Sequence, residues 1–372
     1  MSEQRDTERF DTVIIGGGQA GLSTGYHLGK LGRSFVILDS FERIGDAWRK
    51  GRWDSLRLFT PARYNGMPGM QFPAPGWSFP TKDEMAAYME TYAARFRLPV
   101  RNGVTVDGLS KNGGRFIVSS GGRRFEADNV VVASGAHRIP KTPAFAGELD
   151  PRIVQLHSSE YLRPSQLREG DVLIVGAGNS GAEIAHEVSK THRTWIAGRD
   201  VGQIPVRHGS RPSRLVLPIV RFVGQHVLTI RTPIGRKALA KLGNSSPLIR
   251  VRRPDLAADG VERLPRVAGV KDGLPVLEDG RVMDVSNVIW CTGFRPDYGW
   301  IDLPVFAEDG WPLHVRGVVD KAPGLYFVGL LYQFSATSDV LPSRGRDARY
   351  VARHIASKRR KGRAAVEATV AI

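Results

Sequence analysis

A short apolar run at 12–15 leads directly into a glycine-rich turn at 16–21, and a helical pattern then continues to about Leu31. A second apolar run follows at 35–38. Short uninterrupted apolar runs bounded by turns are typical of strands that are buried on both faces of a sheet. The order therefore predicts a strand, a tight turn, a helix and a second strand parallel to the first.

The same order returns in the middle of the chain. An apolar run at 172–175 leads into a glycine-rich turn at 176–181, a helical pattern to about Lys190 and another apolar run at 194–197. One glycine-rich turn is weak evidence, because such turns also occur for purely structural reasons. Two copies, each between a strand and a helix, predict two nucleotide-binding folds of one type.

Each unit also closes in the same way, with an apolar run that ends in glycine. The first run ends at Gly135, which lies 119 residues after Gly16, the first glycine of its turn. The second ends at Gly293, which lies 117 residues after Gly176. The nearly equal spacing indicates an internal repeat of a whole fold.

Both turns have the spacing G-x-G-x-x-G. In such a turn the first glycine permits the tight bend, the second lets a pyrophosphate approach the backbone, and the third lets helix and strand pack closely. The helix that follows presents unpaired N–H groups and a positive dipole end to the phosphates. We therefore expect dinucleotide contacts at Gly16, Gly18, Gln19, Ala20 and Gly21, and at Gly176, Gly178, Asn179, Ser180 and Gly181.

The two units differ after their second strand. Eighteen residues beyond the third glycine, the first unit has Asp39 and the second has Arg199. A carboxylate there suits a free ribose diol, whereas a guanidinium suits a 2′-phosphate. We therefore expect FAD in the first unit and NADPH in the second, with Arg207 able to share the phosphate. The alternative for Arg199 is a surface arginine in an arginine-rich chain.

Two connections join the units. Residues 140–168 contain four prolines, which suit neither a helix nor a central strand, and the chain turns again after Phe294. The predicted fold is an α/β protein with two Rossmann-like dinucleotide-binding domains, the NADPH domain being inserted into the FAD domain. The predicted bounds are 1–150 and 297–372 for the FAD domain and 165–292 for the NADPH domain.

Basic residues are in excess and unevenly placed. The net charge is +16, and eleven lysines and arginines but no acid lie in the segment 201–254. A solvated surface explains this excess, as does attraction to anionic cofactors, a membrane or nucleic acid. Within this segment, 214–230 is both apolar and cationic. It is a lid over an apolar substrate, a patch for peripheral membrane contact, or a helical excursion packed on the NADPH domain.

The remaining composition excludes several classes of protein. Cys291 is the single cysteine, so an internal disulfide and dithiol chemistry within one chain are excluded, and we expect it to be structural. No cysteine and histidine cluster has metal-ligand spacing. The N-terminal residues carry no secretory pattern and no stretch reaches the roughly 18 apolar residues of a membrane span, which predicts a cytoplasmic protein.

Several segments outside the glycine turns match the pattern of a known family. Residues 290–294 resemble an A-T-G-[YF] linker, and 45–48 resemble a G-G-x-W turn beside a flavin, with Asp46 in place of a glycine. Residues 324–330 resemble a strand that returns to the flavin. Together with the turn at 176–183, these segments resemble the flavin-containing monooxygenase superfamily, especially its bacterial members and the plant indole-3-pyruvate monooxygenases.

The resemblance implies further site residues. A helix starting near Gly345 would point its positive end at the pyrimidine edge of the flavin. Thr60 lies near where many members carry an asparagine beside the flavin. Arg57 and Lys82 are candidates to contact the flavin or an anionic substrate, with surface or structural roles equally open. The other implied cofactor contacts are Ser40, Trp48, Ser134, Gly135, Thr292 and Gly293.

The family fingerprint F-x-G-x-x-x-H-x-x-x-[YFW] is only partly present. His157 and Tyr161 are kept, but Pro151 and Ile153 stand at the Phe and Gly positions. The resemblance makes His157 a candidate catalytic residue, and the alternative is a histidine that holds a hinge. Thr60 is the other catalytic candidate.

The resemblance implies an FAD- and NADPH-dependent monooxygenase. In that family a C4a-(hydro)peroxyflavin formed with O2 oxygenates a small organic substrate, and the oxygen chemistry belongs to the cofactor. The alternative is an NAD(P)H:acceptor reductase or oxidase that inserts no oxygen, which the incomplete fingerprint favours. A basic flavoprotein that acts on nucleic acid or membrane is a third, non-enzymatic possibility.

Overall fold

The computed structural model describes residues 7–135, 139–241 and 246–370, and in its last helix the side chains as far as Ser357. All predicted site residues lie within these ranges, whereas 242–245 of the basic segment lie outside them. The strands are, in chain order, β1 (Thr7–Ile15), β2 (Phe35–Leu38), β3 (Val100–Arg101), β4 (Gly108–Asn112), β5 (Arg115–Ser120), β6 (Arg123–Val132), β7 (Ile139–Pro140), β8 (Val154–His157), β9 (Val172–Val175), β10 (Thr194–Ala197), β11 (Glu262–Leu264), β12 (Val267–Lys271), β13 (Leu274–Leu277), β14 (Asn287–Trp290), β15 (Phe294–Arg295) and β16 (Leu325–Phe327).

The α-helices are α1 (Gln19–Lys30), α2 (Asp46–Arg49), α3 (Lys82–Arg95), α4 (Asn179–Val188), α5 (Arg211–Phe222), α6 (Pro233–Lys241), α7 (Arg253–Ala258) and α8 (Leu341–Val370). A π-helical turn, Val223–Val227, follows α5 directly, and short 3₁₀ turns lie at Ala62–Tyr64, Ala144–Glu148 and Pro164–Gln166. Among the described residues no helix is both long and apolar enough to cross a membrane.

The first sheet has the order β3-β2-β1-β6-β5-β4, and β16 also pairs with β6. The pairs β1–β2, β2–β3, β1–β6 and β6–β16 are parallel, and only the hairpin strands β4 and β5 run antiparallel to their neighbours. In a parallel sheet the carboxyl ends of the strands meet at one edge, which is where α/β proteins bind ligands. The turn at 16–21 lies at this edge.

The second sheet has the order β11-β10-β9-β14-β8, and all its neighbouring strands are parallel. The molecule therefore contains two Rossmann-like folds, as predicted. The edge strand β8, at 154–157, comes from the proline-rich connection and lies before the predicted start of the NADPH domain at residue 165. The domain bounds themselves remain a prediction.

The two crossings between the folds lie side by side. β7 and β15 pair in antiparallel register, with Ile139 opposite Arg295 and Pro140 opposite Phe294. The folds also share their core, because one continuous cluster of buried side chains contains Ile14 from β1 and Ile174 from β9. Joined crossings and a shared core fix the second turn relative to the first.

Two helix starts illustrate how the sequence sets local structure. α3 begins after Thr81, whose hydroxyl accepts from the Glu84 N–H at 3.1 Å while the Glu84 carboxylate accepts from the Thr81 N–H at 2.7 Å. These two hydrogen bonds form a capping box. The predicted start of α8 near Gly345 is wrong, because α8 begins at Leu341. Pro342 is its second residue, where a missing N–H costs no hydrogen bond.

Candidate functional site

The first turn has the backbone that a dinucleotide turn requires. Gly16 has φ +111°, and a Cβ there would lie 2.6 Å from the Ala133 carbonyl oxygen. A Cβ at Gly21 would lie 1.9 Å from the Gly16 oxygen, so helix and strand pack too closely for any side chain. At Gly18, by contrast, no described atom lies within 4 Å of the Cβ position. The turn is thus open at one glycine and closed at two.

The second turn repeats this geometry. Gly176 has φ +116°, and its Cβ would lie 2.2 Å from the Cys291 carbonyl oxygen. A Cβ at Gly181 would lie 1.8 Å from the Gly176 oxygen, and at Gly178 the described atoms again leave the space open within 4 Å. Ala20 and Ser180 lie in the first turns of α1 and α4. Both turns therefore present open backbone at a helix N-terminus, where phosphates bind.

The residues after the second strands differ in charge and in exposure. Asp39 is 8% exposed, and Ser40 beside it is half-buried. Arg199 is exposed, and no described carboxylate pairs with its guanidinium. Its neighbour Asp200 pairs with Arg253 at 2.9 Å. Arg199 is thus an exposed guanidinium without a described carboxylate partner, at the position where the sequence predicts a 2′-phosphate contact.

Arg207 and its neighbour are both engaged with protein groups. The Arg207 guanidinium lies 4.0 Å from an Asp255 carboxylate oxygen, a long and mostly exposed ion pair. The ring of His208 donates to the Phe59 carbonyl at 2.7 Å and packs on Phe79 with 4.1 Å between ring centroids. His208 therefore ties the second fold to the first.

Two half-buried arginines were not singled out by the sequence, and one of them, Arg344, contacts the first turn. Arg344 donates to the Gln19 side-chain oxygen and to the Asp339 carbonyl oxygen, both at 2.6 Å, and its Nε has no partner among the described groups. Burial lowers the pKa of Arg344, and burial together with the charge of Arg344 lowers the pKa of Arg52. The Arg52 guanidinium lies 5.9 Å from the Trp48 ring centroid. Two half-buried like charges favour binding of an anion between them.

The first closing strand leaves a polar atom unused. The buried Ser134 Oγ has no hydrogen-bond partner among the described residues, and Gly135 after it has φ +80° with open space at its Cβ position. Buried hydroxyls are normally hydrogen-bonded. An unpaired hydroxyl beside the open first turn suits a bound ligand with polar groups.

The residues that follow β14 in the second fold bond to the connection that leaves the first fold. Thr292 donates its hydroxyl proton to the Lys141 carbonyl oxygen, and the Lys141 N–H donates to the Gly293 carbonyl oxygen at 2.9 Å. Asn179 is also engaged, because its side chain donates to the Pro247 carbonyl and accepts from the Ile249 N–H. These predicted contact residues hold the linker and the basic segment in place.

His157 lies in the hinge between the folds. Its Nε2 donates to the Gly293 carbonyl at 3.0 Å, and its Nδ1 accepts from Ser159. Burial lowers the pKa of His157, so the ring is neutral at physiological pH. Tyr161 is fully buried and donates its hydroxyl proton to Glu187 at 2.8 Å. The two remaining fingerprint residues thus fasten the crossing to α4, which favours the hinge role for His157.

The other candidates from the resemblance are mostly held by protein groups. Lys82 is 4% exposed and donates to two backbone carbonyls and to Asp54 at 2.9 Å, which is a structural role. Arg57 donates to the Phe79 carbonyl at 3.0 Å. Gly345 lies inside α8, where a Cβ would come within 2.7 Å of Pro68. Its role in this structure is close packing.

Thr60 is paired with a buried asparagine five residues later. The Thr60 hydroxyl donates to the Asn65 side-chain oxygen, and the Asn65 amide donates to the Thr60 carbonyl at 2.8 Å. Asn65 is completely buried and precedes Gly66 and Met67, which line two cavities of about 720 and 330 Å³. The Asn65 amide thus fixes the loop between these cavities.

The larger cavity is lined by aromatic, apolar and basic side chains. They include Tyr64, Met67 and Phe72, with Arg63 and Arg221 at its polar wall. The Arg221 guanidinium lies 4.6 Å from the Tyr64 ring centroid, so a residue of α5 closes part of the cavity.

Residues 13–221, more than half of the chain, match the pyridine nucleotide-disulphide oxidoreductase family. The chain belongs to this family. It is 37% identical to the uncharacterized oxidoreductase CzcO-like of Geobacillus kaustophilus, over 92% of this chain and 97% of that protein. It is 27% identical to the indole-3-pyruvate monooxygenase YUCCA1 of Oryza sativa, over 91% of each protein.

A solved structure agrees with these relatives. The flavin-containing monooxygenase from Stenotrophomonas maltophilia is 29% identical, with a TM-score of 0.76 over 94% of this chain and 99% of that chain. Within the pyridine nucleotide-disulphide oxidoreductases, the chain therefore falls in the flavin-containing monooxygenase superfamily, as its motifs predict. It is an enzyme, an oxidoreductase of the flavin monooxygenase type.

This oxidoreductase cannot reduce a disulfide with a dithiol of its own chain. Cys291 is its single cysteine. Burial raises the pKa of the Cys291 thiol to about 12, so the thiolate does not form at neutral pH. Cys291 stands at the end of β14, where its carbonyl packs against Gly176 and its N–H donates to the Val175 carbonyl at 2.7 Å.

Proposed function

We propose that the chain binds FAD at the first turn and NADPH at the second, and uses them as a monooxygenase. One oxygen atom of O2 would go to a small organic substrate and the other to water. The observation that carries the proposal is the duplicated turn with different charges behind it. Each turn is open at its second glycine, but a buried carboxylate, Asp39, follows the first and an unpaired guanidinium, Arg199, follows the second.

The residues around the first turn fit FAD. Gly18 leaves room for the pyrophosphate, and Asp39 is placed for the ribose hydroxyls. The unpaired Ser134 hydroxyl is a free polar contact for the cofactor. Arg344 and Arg52, which are half-buried, supply positive charge. That charge would stabilise the phosphates or the negative charge of a reduced flavin.

The residues around the second turn fit NADPH. Gly178 leaves room for the pyrophosphate, and Arg199 can pair with a 2′-phosphate without first losing a carboxylate partner. Arg207 can join it, because its ion pair with Asp255 is 4.0 Å long and largely exposed. We therefore infer that the enzyme prefers NADPH to NADH.

The protein supplies position and charge and leaves the bond-making chemistry to the cofactors. When bound, NADPH supplies a hydride and FAD the centre that activates oxygen. The chain contributes the half-buried Arg344 and Arg52, the neutral His157 that holds Gly293, and the walls of the neighbouring cavities. Excluding water from these cavities would prevent the release of hydrogen peroxide.

A second candidate is an NAD(P)H:acceptor reductase or oxidase, which transfers electrons without inserting oxygen. The incomplete fingerprint favours it. Ile153 is buried in the core of the second fold, and both ring nitrogens of His157 are used in the hinge. Neither residue is therefore free to contact a nicotinamide cofactor in the way the fingerprint implies.

The test is to load the enzyme with FAD and supply NADPH, ¹⁸O2 and representative amines, thioethers, ketones and α-keto acids. The monooxygenase proposal expects ¹⁸O in one class of product, with about one NADPH consumed for each product formed. Full recovery of the consumed oxygen as hydrogen peroxide with every class would support the oxidase instead. Rapid NADPH oxidation by a quinone without oxygen uptake would support the reductase.

A further inference from the structure

α5 presents its apolar side chains to solvent and part of its charge to the protein. Leu215, Ile219, Phe222 and Val223 follow the spacing i, i+4, i+7, i+8 and therefore lie on one face of the helix. Their exposed fractions are 75%, 64%, 60% and 36%. In a helix packed on a globular core, such a stripe faces inward. Here it faces outward.

Another face of α5 packs on the first fold. The Arg214 guanidinium lies 5.7 Å from the Trp77 ring centroid, and Arg221 lies over Tyr64. Both aromatic rings belong to the first fold rather than the second. The segment is helical, as one of the three alternatives expected, but these contacts join the helix to the first fold and not to the NADPH domain.

The segment after α5, residues 223–230, is hydrogen-bonded to the same fold. The Gln225 amide donates to the Ser343 hydroxyl at 2.9 Å, and Arg346 donates to the Gln225 carbonyl at 2.7 Å. The Ile230 N–H donates to the Phe334 carbonyl at 3.0 Å. The apolar stripe is therefore held on a supported helix.

Exposed cations occur on α5 and in the segment that follows it along the chain. Arg211, Arg231, Arg236 and Lys237 are exposed, and none pairs with a carboxylate in the part of the chain that the structure describes. The next helix along the chain, α6, also has an exposed apolar side chain, Ile234, which is 62% exposed. We call the exposed residues of α5 and α6 together the α5–α6 face.

We propose that the α5–α6 face binds the surface of an anionic lipid bilayer. Leucine, isoleucine and phenylalanine enter the boundary between headgroups and acyl chains, while flanking arginines and lysines meet the lipid phosphates. A second copy of the chain fits this face poorly, because the same unpaired cations would oppose each other. Nucleic acid offers the exposed aliphatic side chains no apolar surface. The proposal does not depend on the reaction that the enzyme catalyses.

The experiment uses the full chain and vesicles of equal parts phosphatidylglycerol and phosphatidylcholine, followed by co-sedimentation. The test variant is Leu215→Gln/Ile219→Gln/Phe222→Gln, and the matched control is Leu313→Gln/Val315→Gln. The control residues are 40% and 59% exposed and lie on another part of the surface. All five side chains are exposed, so both variants should keep the wild-type melting temperature.

The wild type should sediment with anionic vesicles and not with pure phosphatidylcholine. The triple variant should bind at least about ten times more weakly, because the apolar anchor is lost. The control should bind like the wild type. Arg211→Ser/Lys237→Ser should weaken binding about five-fold for each charge removed and lower the salt dependence.

Any of the following results would overturn the proposal. In the first, the wild type does not bind anionic vesicles. Equally, the triple variant could bind them as well as the wild type does, which would assign binding to general basic charge. In the second, sedimentation velocity detects a dimer that the triple variant dissociates while no vesicle binding occurs. In the third, duplex DNA binds, and the triple substitution weakens DNA and not vesicle binding.

Discussion

At the scale of single residues, substitutions at Gly178 and Gly181 should distinguish a loss of ligand binding from a loss of packing. A methyl group at Gly178 meets no described atom within 4 Å, whereas one at Gly181 would lie 1.8 Å from the Gly176 oxygen. Gly178→Ala should therefore keep the melting temperature of the ligand-free protein and weaken NADPH binding. Gly181→Ala should lower the melting temperature outright. Thermal melts and NADPH titrations check both, and equal melting temperatures for the two variants would contradict this geometry.

A second residue-scale prediction concerns the choice between the two nicotinamide cofactors. Arg199→Ala should weaken NADPH binding about 10- to 100-fold, since a hydrogen bond to a charged group is worth about 1.5–3 kcal/mol. NADH binding should not change. The matched control is Arg193→Ala, because Arg193 precedes β10 while Arg199 follows it. Dissociation constants for both cofactors decide the matter, and an unchanged NADPH preference in Arg199→Ala would refute the assignment.

Sequence reasoning found the residues whose role is set by local spacing. The six turn glycines and the contrast between Asp39 and Arg199 follow from short segments of the chain. Arg344 and Asn65 were missed because their meaning depends on distant or buried partners. Arg344 bonds to Gln19, which lies 325 residues away in the chain. The structural role of Asn65 can be recognised only from the burial of its amide.

At the scale of elements, α3 depends on its cap. Thr81→Ala removes the hydroxyl that accepts from the Glu84 N–H, and should lower the free energy of unfolding by about 1 kcal/mol. Thr91→Ala is the control, since Thr91 lies within the helix and its hydroxyl only bonds back to the Ala87 carbonyl. The control should change stability by less than about 0.5 kcal/mol. Urea unfolding measures both, and equal losses would argue against the capping box.

Elements with a purely apolar pattern were predicted best. β2, β9 and β10 have the predicted bounds, because four buried residues between turns leave little choice. β1 begins at Thr7 and not Thr12, since its partly exposed first half gains its partners from β6 and carries no apolar run. β8 was not predicted, because the prolines around it indicate a connection while its pairing with β14 makes it a strand.

At the scale of the whole molecule, half-buried histidines make stability depend on pH. Burial lowers the pKa of His27 and of His314 from 6.5 to about 4, and the neutral His314 ring accepts from the Gly317 N–H at 3.2 Å. Between pH 6.5 and 4 the unfolded chain binds protons at these histidines that the folded protein does not bind. The stability that the neutral rings contribute is therefore present above pH 6.5 and is lost as pH falls towards 4. The free energy of unfolding should therefore decrease between pH 6.5 and 5.

His314→Gln checks this dependence, because glutamine can accept the same N–H but does not titrate. The slope of the unfolding free energy against pH gives the number of protons taken up on unfolding. This number should be smaller in the variant than in the wild type, by up to one proton. Urea unfolding at several pH values between 5 and 7 gives this slope. A slope identical to that of the wild type would mean that His314 does not contribute.

The whole molecule is proposed to join two nucleotide sites so that NADPH bound at the second would reduce the flavin bound at the first, where oxygen would then react. The most direct measurement mixes the enzyme, reduced by NADPH without oxygen, with oxygenated buffer and follows the flavin spectrum in time. We expect a spectrum distinct from both reduced and oxidised flavin that persists before oxidised flavin returns, with little peroxide released. Direct return to oxidised flavin with one peroxide per flavin, with and without each class of substrate, would contradict this expectation.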